Sequence, residues 1–357
     1  MTEHRARTCD NGRPAQATTG AWVCDDPSLH EQAVKPWELL TSCLARGQFR
    51  HEMRYFSASA FSVYEERFAY RVRLRGQSPP GVIAVAVPIR VPPQTLCWKN
   101  PWSTEKMPAI KGDALDVLLD AGHEQLVVLV DGALARRELG QERAQRLERL
   151  CRLRGLPSTE RRVAQLRAFL LALIDLVDAS PRVLRNAMAV HSIETDLIRN
   201  IAAAVAVPLE EQSAAGSHRA CPRRSRLLAR ALEVVRATNP LDLSIPQLCE
   251  AARVDQRSLE YAFRETFDLT PLGFLRLSRL HSARCRLLAA DPADMAVRDI
   301  AYQEGFYHLG RFASTYRSTF GEYPSATLQR PCPKELETVM AVPLLQLQGW
   351  RHHPRAR

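Results

Sequence analysis

The chain has 357 residues, of which 46% are hydrophobic, and a formal net charge of +10. This length suits two domains with a core in each, and the absence of a CxxC pair among nine cysteines argues against a disulfide framework or a zinc site. The positive charge admits nucleic acid as a partner. However, residues 226–330 hold 14 arginines and 12 acids, so the total charge alone does not identify a nucleic-acid-binding segment. The start has no apolar core of a secretory signal, and the apolar stretch 163–177 is too short to span a bilayer, so we expect a cytoplasmic protein.

The first part of the chain is predicted to be a tail followed by a β-rich domain. Residues 1–36 are polar and rich in small side chains, which is typical of a flexible tail. Helical patterning occurs at about 133–154. We expect residues 37–157 to form a β-rich regulatory domain, a small sandwich or barrel with some helix, so that the whole chain is α+β. Strands are predicted at 61–76, 81–89 and 125–132. In each segment the residues either alternate between apolar and polar or form an apolar run, and a glycine or proline bounds it.

The middle of the chain is predicted to be helical. Residues 158–207 have apolar positions at helical spacing, with Ser158 as the expected N-cap of the first helix and Pro181 at the start of the second. Such helices suit either a core or a dimer face, and the sequence leaves both interpretations open. Residues 208–224 lack apolar periodicity and are the best linker candidate, and residues 332–357 are expected to be a C-terminal tail.

Two segments beyond the linker repeat one pattern. Residues 245–271 and 297–324 share their apolar positions at an offset of 52 residues before an internal turn and 53 after it. Each predicts a short helix, a tight turn and a second helix, which is a helix-turn-helix unit. The helix predicted within 271–292 would span roughly 27 Å over about 18 residues and hold the units apart. Helices separated by about one DNA turn, roughly 34 Å, can enter successive major grooves.

The second helix of each unit is predicted to be amphipathic, with a cap at Asp255 in the first unit and at Tyr307 or His308 in the second. A polar helix face is ordinarily only solvated, but its recurrence in a duplicated frame favours contact with a ligand. The predicted inward positions are Leu259, Phe263, Thr266 and Phe267, then Leu309, Phe312, Tyr316, Thr319 and Phe320. The predicted outward positions are Arg257, Ser258, Tyr261, Arg264 and Glu265, then Gly310, Arg311, Ser314, Arg317 and Ser318.

Residues 225–331 resemble the DNA-binding domain of the AraC/XylS family of bacterial transcription regulators. The segment "IAYQEGFYHLGRFASTYRSTFGEYPSATL" has the family's Ile-Ala pair, Gly-Phe before the turn, Phe312, Tyr316-Arg317, and then Phe-Gly and Pro. The resemblance implies a seven-helix domain that binds double-stranded DNA with one recognition helix from each half. The amino-terminal half loosely resembles the sensory domain of the branch that includes ethanolamine-operon regulators. That likeness implies a small-molecule effector and a homodimer.

The resemblance also implies roles for individual residues. In the first recognition helix, Arg257 and Tyr261 would contact bases, and Gln256, Glu260 and Arg264 would lie nearby. In the second, the DNA-facing positions would be His308, Leu309, Gly310, Arg311 and Ser314. Leu309 and Gly310 offer little hydrogen bonding, so this helix is expected to contact backbone and shape, with Arg264, Arg311 and Arg317 on phosphates. The missing side chain of Gly310 would let the helix backbone approach a phosphate closely.

The sequence shows little enzymatic chemistry. It contains no P-loop, GxGxxG, GxSxG or HExxH motif, and its ten histidines have no metal-ligand spacing, so we expect no catalysis, cofactor or metal. Trp98 and Trp102 are interpreted as packing residues, with an effector pocket as the alternative. Alternating arginines at 71, 73 and 75 are interpreted as a solvated strand face, with an anion site as the alternative.

The prediction is therefore a cytoplasmic, sequence-specific transcription regulator that responds to a small molecule. RNA polymerase would be a further partner if the protein activates transcription, and no membrane partner is expected. The alternative is a small-molecule-binding protein or enzyme in the β-rich domain, with the helical repeat used for protein contacts.

Overall fold

The computed structural model describes residues 17–34, 37–44, 49–151, 154–205, 222–238 and 243–330. The predicted linker over 208–224 lies outside the described residues up to position 221, as does the whole predicted tail over 332–357. None of the described helices combines the length and the apolar character that crossing a membrane requires.

Two antiparallel sheets form the amino-terminal half, which confirms the β-rich sandwich expected there. In spatial order, the first sheet contains β1 (Thr18–Cys24), β3 (His51–Ser57), β4 (Phe61–Phe68), β11 (His123–Asp131), β6 (Val82–Arg90) and β9 (Ala109–Lys111). The second contains β2 (Glu38–Cys43), β5 (Val72–Gln77), β10 (Ala114–Leu119), β7 (Leu96–Cys97) and β8 (Asn100–Pro101). Apolar side chains from both sheets, among them Phe68, Leu74 and Leu129, form one buried cluster between them.

The structure corrects two predictions in this half. The tail predicted over 1–36 is wrong for residues 18–33, which form β1 and helix α1 (Pro27–Ala33). The alternating side-chain directions of a strand place Trp22 and Cys24 in the core while Val23 stays exposed. This strand pattern is short and lies in a segment of mostly polar composition, so composition alone suggests a tail. The strand predicted over 61–76 is two strands, β4 and β5, which belong to different sheets.

The next helices cover the outer face of the first sheet. They are α2 (Gly132–Leu139), α3 (Gln141–Cys151), α4 (Glu160–Ala179) and α5 (Ala187–Ala204), with a 3-10 helix at Pro181–Arg185 between the last two. The N-cap expected at Ser158 is wrong: Thr159 takes the cap position, and the Ser158 hydroxyl donates to the carbonyl of Ala204 at 2.7 Å. Leu166 and Leu170 of α4 are fully buried in one cluster with residues of the first sheet, so α4 contributes directly to the core.

Seven helices make up residues 222–238 and 243–330. They are α6 (Pro222–Ala237), α7 (Ile245–Ala252), α8 (Gln256–Phe267), α9 (Pro271–Ala289), α10 (Val297–Gln303), α11 (Leu309–Phe320) and α12 (Pro324–Leu328). Two separate apolar clusters lie around α8 and around α11, and Leu277 of α9 packs against both. Each helix-turn-helix unit thus has a small core of its own, and α9 joins the two.

Candidate DNA-binding surface

The first helix-turn-helix unit consists of α7 and α8. A capping box between Ser244 and Gln247 begins α7, and Arg253, in the left-handed region at φ 55°, ends it. The Asp255 carboxylate accepts the backbone N–H of Ser258 at 2.7 Å and caps α8, as predicted. This hydrogen bond holds the pKa of Asp255 below its usual value. The helix therefore begins with a negative charge at the positive end of its dipole.

The two faces of α8 are as the sequence predicts. Leu259, Phe263 and Phe267 are buried, together with Thr266. The opposite face is exposed and carries Arg257, Ser258, Tyr261, Arg264 and Glu265. Gln256 donates from Nε2 to Oε1 of Glu260 at 2.9 Å, one turn along the helix. The exposed face thus offers cationic, aromatic and amide groups in one row.

The second unit consists of α10 and α11. Gly305 turns the chain at φ 79°, and Phe306 packs beneath the turn with its ring 4.9 Å from that of Phe312. Phe312 and Tyr316 are buried, whereas Thr319, which the sequence pattern predicts to face inward, is exposed. The Thr319 hydroxyl is satisfied locally by the carbonyl of Thr315 at 2.9 Å, so this position needs no place in the core. His308 takes the N-cap position but makes no capping hydrogen bond through its side chain.

The outer face of α11 is exposed at each position where the sequence predicts exposure: Gly310, Arg311, Ser314, Arg317 and Ser318. A Cβ atom added at Gly310 would meet no atom of the described residues within 4 Å, so their packing does not require glycine there. Arg317 donates from Nη1 to the Tyr323 hydroxyl at 2.7 Å, and its guanidinium lies 4.8 Å from that ring. The cation is thereby held beside a depression lined by Gly310, Ala313, Ser314, Ser318 and Tyr323.

Helix α9 connects the two units. Thr270 caps it by accepting the N–H of Gly273 at 3.1 Å, and its 19 residues span about 28 Å at 1.5 Å per residue. Arg284, near its end, is buried and has three polar contacts inside the second unit, with the hydroxyls of Tyr316 at 3.2 Å and Thr327 at 3.4 Å and with the Glu322 carboxylate at 2.9 Å. Burial raises the pKa of the Tyr316 phenol to about 12, so this hydroxyl stays protonated and available to bond.

Comparison with known proteins identifies this fold. A protein-family model described as "Helix-turn-helix domain" matches residues 248–330. The XylDLEGF operon transcriptional activator 1 of Pseudomonas putida is 38% identical over 104 residues, which are 29% of this chain and 31% of that protein. The C-terminal part of this chain is an AraC-type helix-turn-helix domain. The resemblance of residues 225–331 to the AraC/XylS DNA-binding domain is therefore confirmed.

Other relatives match in a similar way. The probable thc operon regulatory protein of Rhodococcus erythropolis is 33% identical over 145 residues, which are 40% of this chain and 44% of that protein. The chain thus spans less than half the length of these curated relatives. Among solved structures, the AraC-like transcriptional activator CuxR is 12% identical with a TM-score of 0.40, over 74% of this chain and 95% of that one.

The AraC-type domain is attached to the β-rich half by an ion pair and a histidine–carboxylate contact that sequence reasoning missed. The Arg284 guanidinium donates from Nε to Oδ2 of Asp26 at 2.5 Å. Burial alone would lower the pKa of Arg284, but the Asp26 carboxylate raises it above its usual value. On the preceding turn of α9, His281 Nδ1 lies 2.5 Å from Oε2 of Glu31. Asp26 and Arg284 are 258 residues apart, so no local pattern could have paired them.

A second attachment joins the first helix-turn-helix unit to the second sheet of the β-rich half. Arg75 on β5 forms an ion pair at 2.9 Å with Asp268, the residue that ends α8. Arg73 on the same strand pairs with Asp116 through two hydrogen bonds of 2.9 and 2.8 Å. Arg71 lies 3.9 Å from Asp120. The three alternating arginines therefore face carboxylates, and neither a purely solvated face nor an anion site describes them.

The β-rich half encloses a cavity of about 60 Å³ between its sheets. Trp98 and Trp102 are both buried and both line this cavity, so each is a packing residue and a wall residue at once. Their indole nitrogens are already used, since Trp98 donates to the carbonyl of Ala114 and Trp102 to that of Lys106, each at 2.9 Å. The rest of the wall is mostly apolar, with His30, Glu66 and Gln125 as its buried polar members.

Proposed function

We propose that this protein is a sequence-specific DNA-binding transcription regulator whose β-rich half senses a small molecule. The observation that carries the proposal is the pair of exposed polar faces, on α8 and α11, joined by the single helix α9 of about 28 Å. Each face belongs to the second helix of a helix-turn-helix unit, the element that enters the major groove in such units. The relatives support this proposal because their names describe operon regulators.

The two helices are proposed to do different work. On α8, Arg257 and Tyr261 would read bases, because arginine pairs bidentately with guanine and a tyrosine ring can contact a thymine methyl group. The neighbouring Gln256, Glu260 and Arg264 would complete that face. On α11, the small residues Gly310 and Ser314 would let the backbone come close to DNA, beside His308, Arg311 and Arg317. Sequence discrimination would thus come mainly from the first unit.

A gel-shift experiment with the full chain tests the proposal. Genomic fragments are screened at low salt, and the bound sequence is then mutated base by base. Arg257→Ala should lose about 1–3 kcal/mol at one base position and relax specificity there. Arg298→Ala, which removes an exposed arginine from α10, is the matched control and should leave base preference unchanged.

Two outcomes would count against the assignment. Equal loss on all sequences would remove Arg257 from the base-reading residues. Failure of the wild-type chain to retard any fragment would favour protein contacts by the helical repeat.

The proposed sensing route passes through α1. One side of this helix lines the cavity through His30, and the helix is also tied to α9 by Glu31 and by Asp26 just before it. A ligand in the cavity that moves α1 would therefore alter the contacts of α9 with the β-rich half. Ligand-dependent change in DNA affinity that disappears in Asp26→Asn would support this route, and an unchanged response would exclude it.

The remaining expectations belong to the same proposal. Leu176 on α4 and Met188 on α5 are exposed apolar side chains, which supports a homodimer through residues 158–207. Light scattering of the wild type and of Leu176→Asp would test it, because a charge at the interface should lower the apparent mass. Activation through RNA polymerase is proposed from the name of the Pseudomonas relative, and a cytoplasmic location from the proposed DNA partner.

A further inference from the structure

The core of the β-rich half contains a cluster of histidines and a carboxylate whose ligand chemistry the proposed function does not use. His30 on α1, His51 on β3 and Glu66 on β4 are all buried, and their ligand-type atoms all lie within 4.8 Å of one another. His123 and Gln125 on β11 are buried next to them. Histidines and carboxylates are seldom buried without a defined task, because removing their polar atoms from water is costly.

Strand pairing explains how these residues meet. On one face of the first sheet, Phe68 lies between His51 and His123 as the cross-strand partner of both. Two residues away on the same strand, Glu66 lies opposite Gln125. His51 and Glu66 are thus diagonal neighbours on one face, within side-chain reach. The sequence hides this arrangement because the ligands come from three elements, which is why its histidines show no metal spacing.

The hydrogen bonds already orient the three side chains. The Nδ1 atom of His30 lies 2.9 Å from the Thr41 hydroxyl, and Nε2 of His51 lies 3.0 Å from Oε2 of Glu66. The Gln125 side chain donates from Nε2 to the other oxygen of Glu66. The Nε2 atom of His30 has no hydrogen-bond partner among the residues that the structure describes, and the residue is only 1% exposed. A buried, oriented and unsatisfied imidazole nitrogen needs an explanation, and a bound ligand is one that the neighbouring carboxylate and imidazole support.

We propose that His30, His51 and Glu66 bind one divalent first-row transition-metal ion. Two imidazoles and one carboxylate form a facial ligand set that suits Fe²⁺, Co²⁺, Ni²⁺ or Zn²⁺ and leaves coordination positions open. His30 and Glu66 also line the cavity, so the open positions face it, and a small molecule with an oxygen or nitrogen donor can complete the coordination. Thr41 and Gln125 position the ligands and are not themselves ligands.

Direct metal binding tests this assignment. The full-length, tag-free chain is stripped with a chelator and titrated with Zn²⁺ against a fluorescent competitor, without DNA. One Zn²⁺ per chain is expected, with affinity lowered more than about 100-fold in His51→Gln and in Glu66→Gln and about 10–100-fold in Thr41→Val. The matched controls are His123→Gln, a buried histidine outside the set, and His191→Gln, an exposed one, and both should keep the ion.

The results separate the site from a merely structural polar network. A folded wild-type chain that binds neither Zn²⁺ nor Co²⁺ would overturn the proposal, as would equal affinity in His51→Gln and His191→Gln. If both ligand variants fail to fold, the wild type decides: Zn²⁺ should raise its Tm, and bound Co²⁺ should give the spectrum of nitrogen and oxygen ligands. Sulfur ligation, or no thermal shift, would contradict it. Because DNA is absent, these outcomes are independent of the proposed regulatory function.

Discussion

Replacing Arg284 by alanine tests whether the contact between the two halves contributes to stability. The Arg284 side chain is 6% exposed, and its main partner Asp26 is 2% exposed. A second carboxylate, Glu322, lies 2.9 Å from Arg284 Nη1, and the guanidinium also lies 4.7 Å from the ring of Phe320. Arg284→Ala would remove the cation from two carboxylates and leave space against an aromatic ring.

The expected loss is large because one buried charge is left without its partner. Removing one member of a buried ion pair costs about 3–5 kcal/mol. The Asp26 carboxylate keeps one hydrogen bond, from the backbone N–H of Ser28 at 2.9 Å, which places the expected value toward the lower end. Asp26→Asn should cost less, because Arg284 then retains Glu322. In the double variant, the two losses should not add, and the interaction energy should be about 2–3 kcal/mol.

Urea denaturation of the four proteins in this cycle measures these values. Arg330→Ala is the matched control, because Arg330 binds the same Glu322 at 2.8 Å but from an exposed position. Its loss should be below about 1 kcal/mol, as for other exposed pairs. A loss below about 1 kcal/mol for Arg284→Ala, or strict additivity with Asp26→Asn, would refute the inference that this buried pair joins the two halves.

Three further substitutions test the fold and the DNA-binding surface. Gly310→Ala should raise the free energy of unfolding by about 0.5–1 kcal/mol, because no atom of the described residues lies within 4 Å of the added methyl group. It should also weaken DNA binding in a gel shift, and tighter binding would contradict a close approach of the helix backbone to DNA. Phe263→Ala should cost about 3–5 kcal/mol in urea denaturation, because the ring is fully buried in the core of the first unit, and a loss under about 1 kcal/mol would mean that this core collapses to fill the cavity. Asn186→Ala should cost about 1 kcal/mol, because its side chain accepts the N–H groups of Met188 and Ala189 at the start of α5, and an unchanged midpoint would show that water replaces this cap.

The sequence predicts the AraC-type domain well because its signals are local. The faces of α8 and α11 follow from a period of 3.6 residues, and the cap at Asp255 follows from the residue type before the helix. The prediction that Thr319 faces inward is wrong. Its hydroxyl forms a hydrogen bond within its own helix, which the helical periodicity of apolar residues does not reveal.

The amino-terminal half is harder to predict because its arrangement depends on strand pairing. His51 and Glu66 meet only once β3 and β4 are in register, and His30 joins them from a helix within a segment whose composition suggested a tail. Arg75 and Asp268 are likewise brought together by domain packing alone. Helical periodicity constrains a few neighbouring residues, whereas these contacts depend on the complete fold.

The two ion pairs between the halves have a mechanical consequence. Arg75 binds the end of α8, and Asp26 binds α9 beside the core of α11, so each of the two helices proposed to contact DNA has its own attachment to the β-rich half. A body held at two separated points cannot turn freely, whereas one held at a single point can pivot. Loss of both the Asp26–Arg284 pair and the neighbouring Glu31–His281 contact would let α11 change its orientation relative to α8. The spacing between the two proposed DNA-contacting helices, α8 and α11, would then depend on the β-rich half as well as on α9.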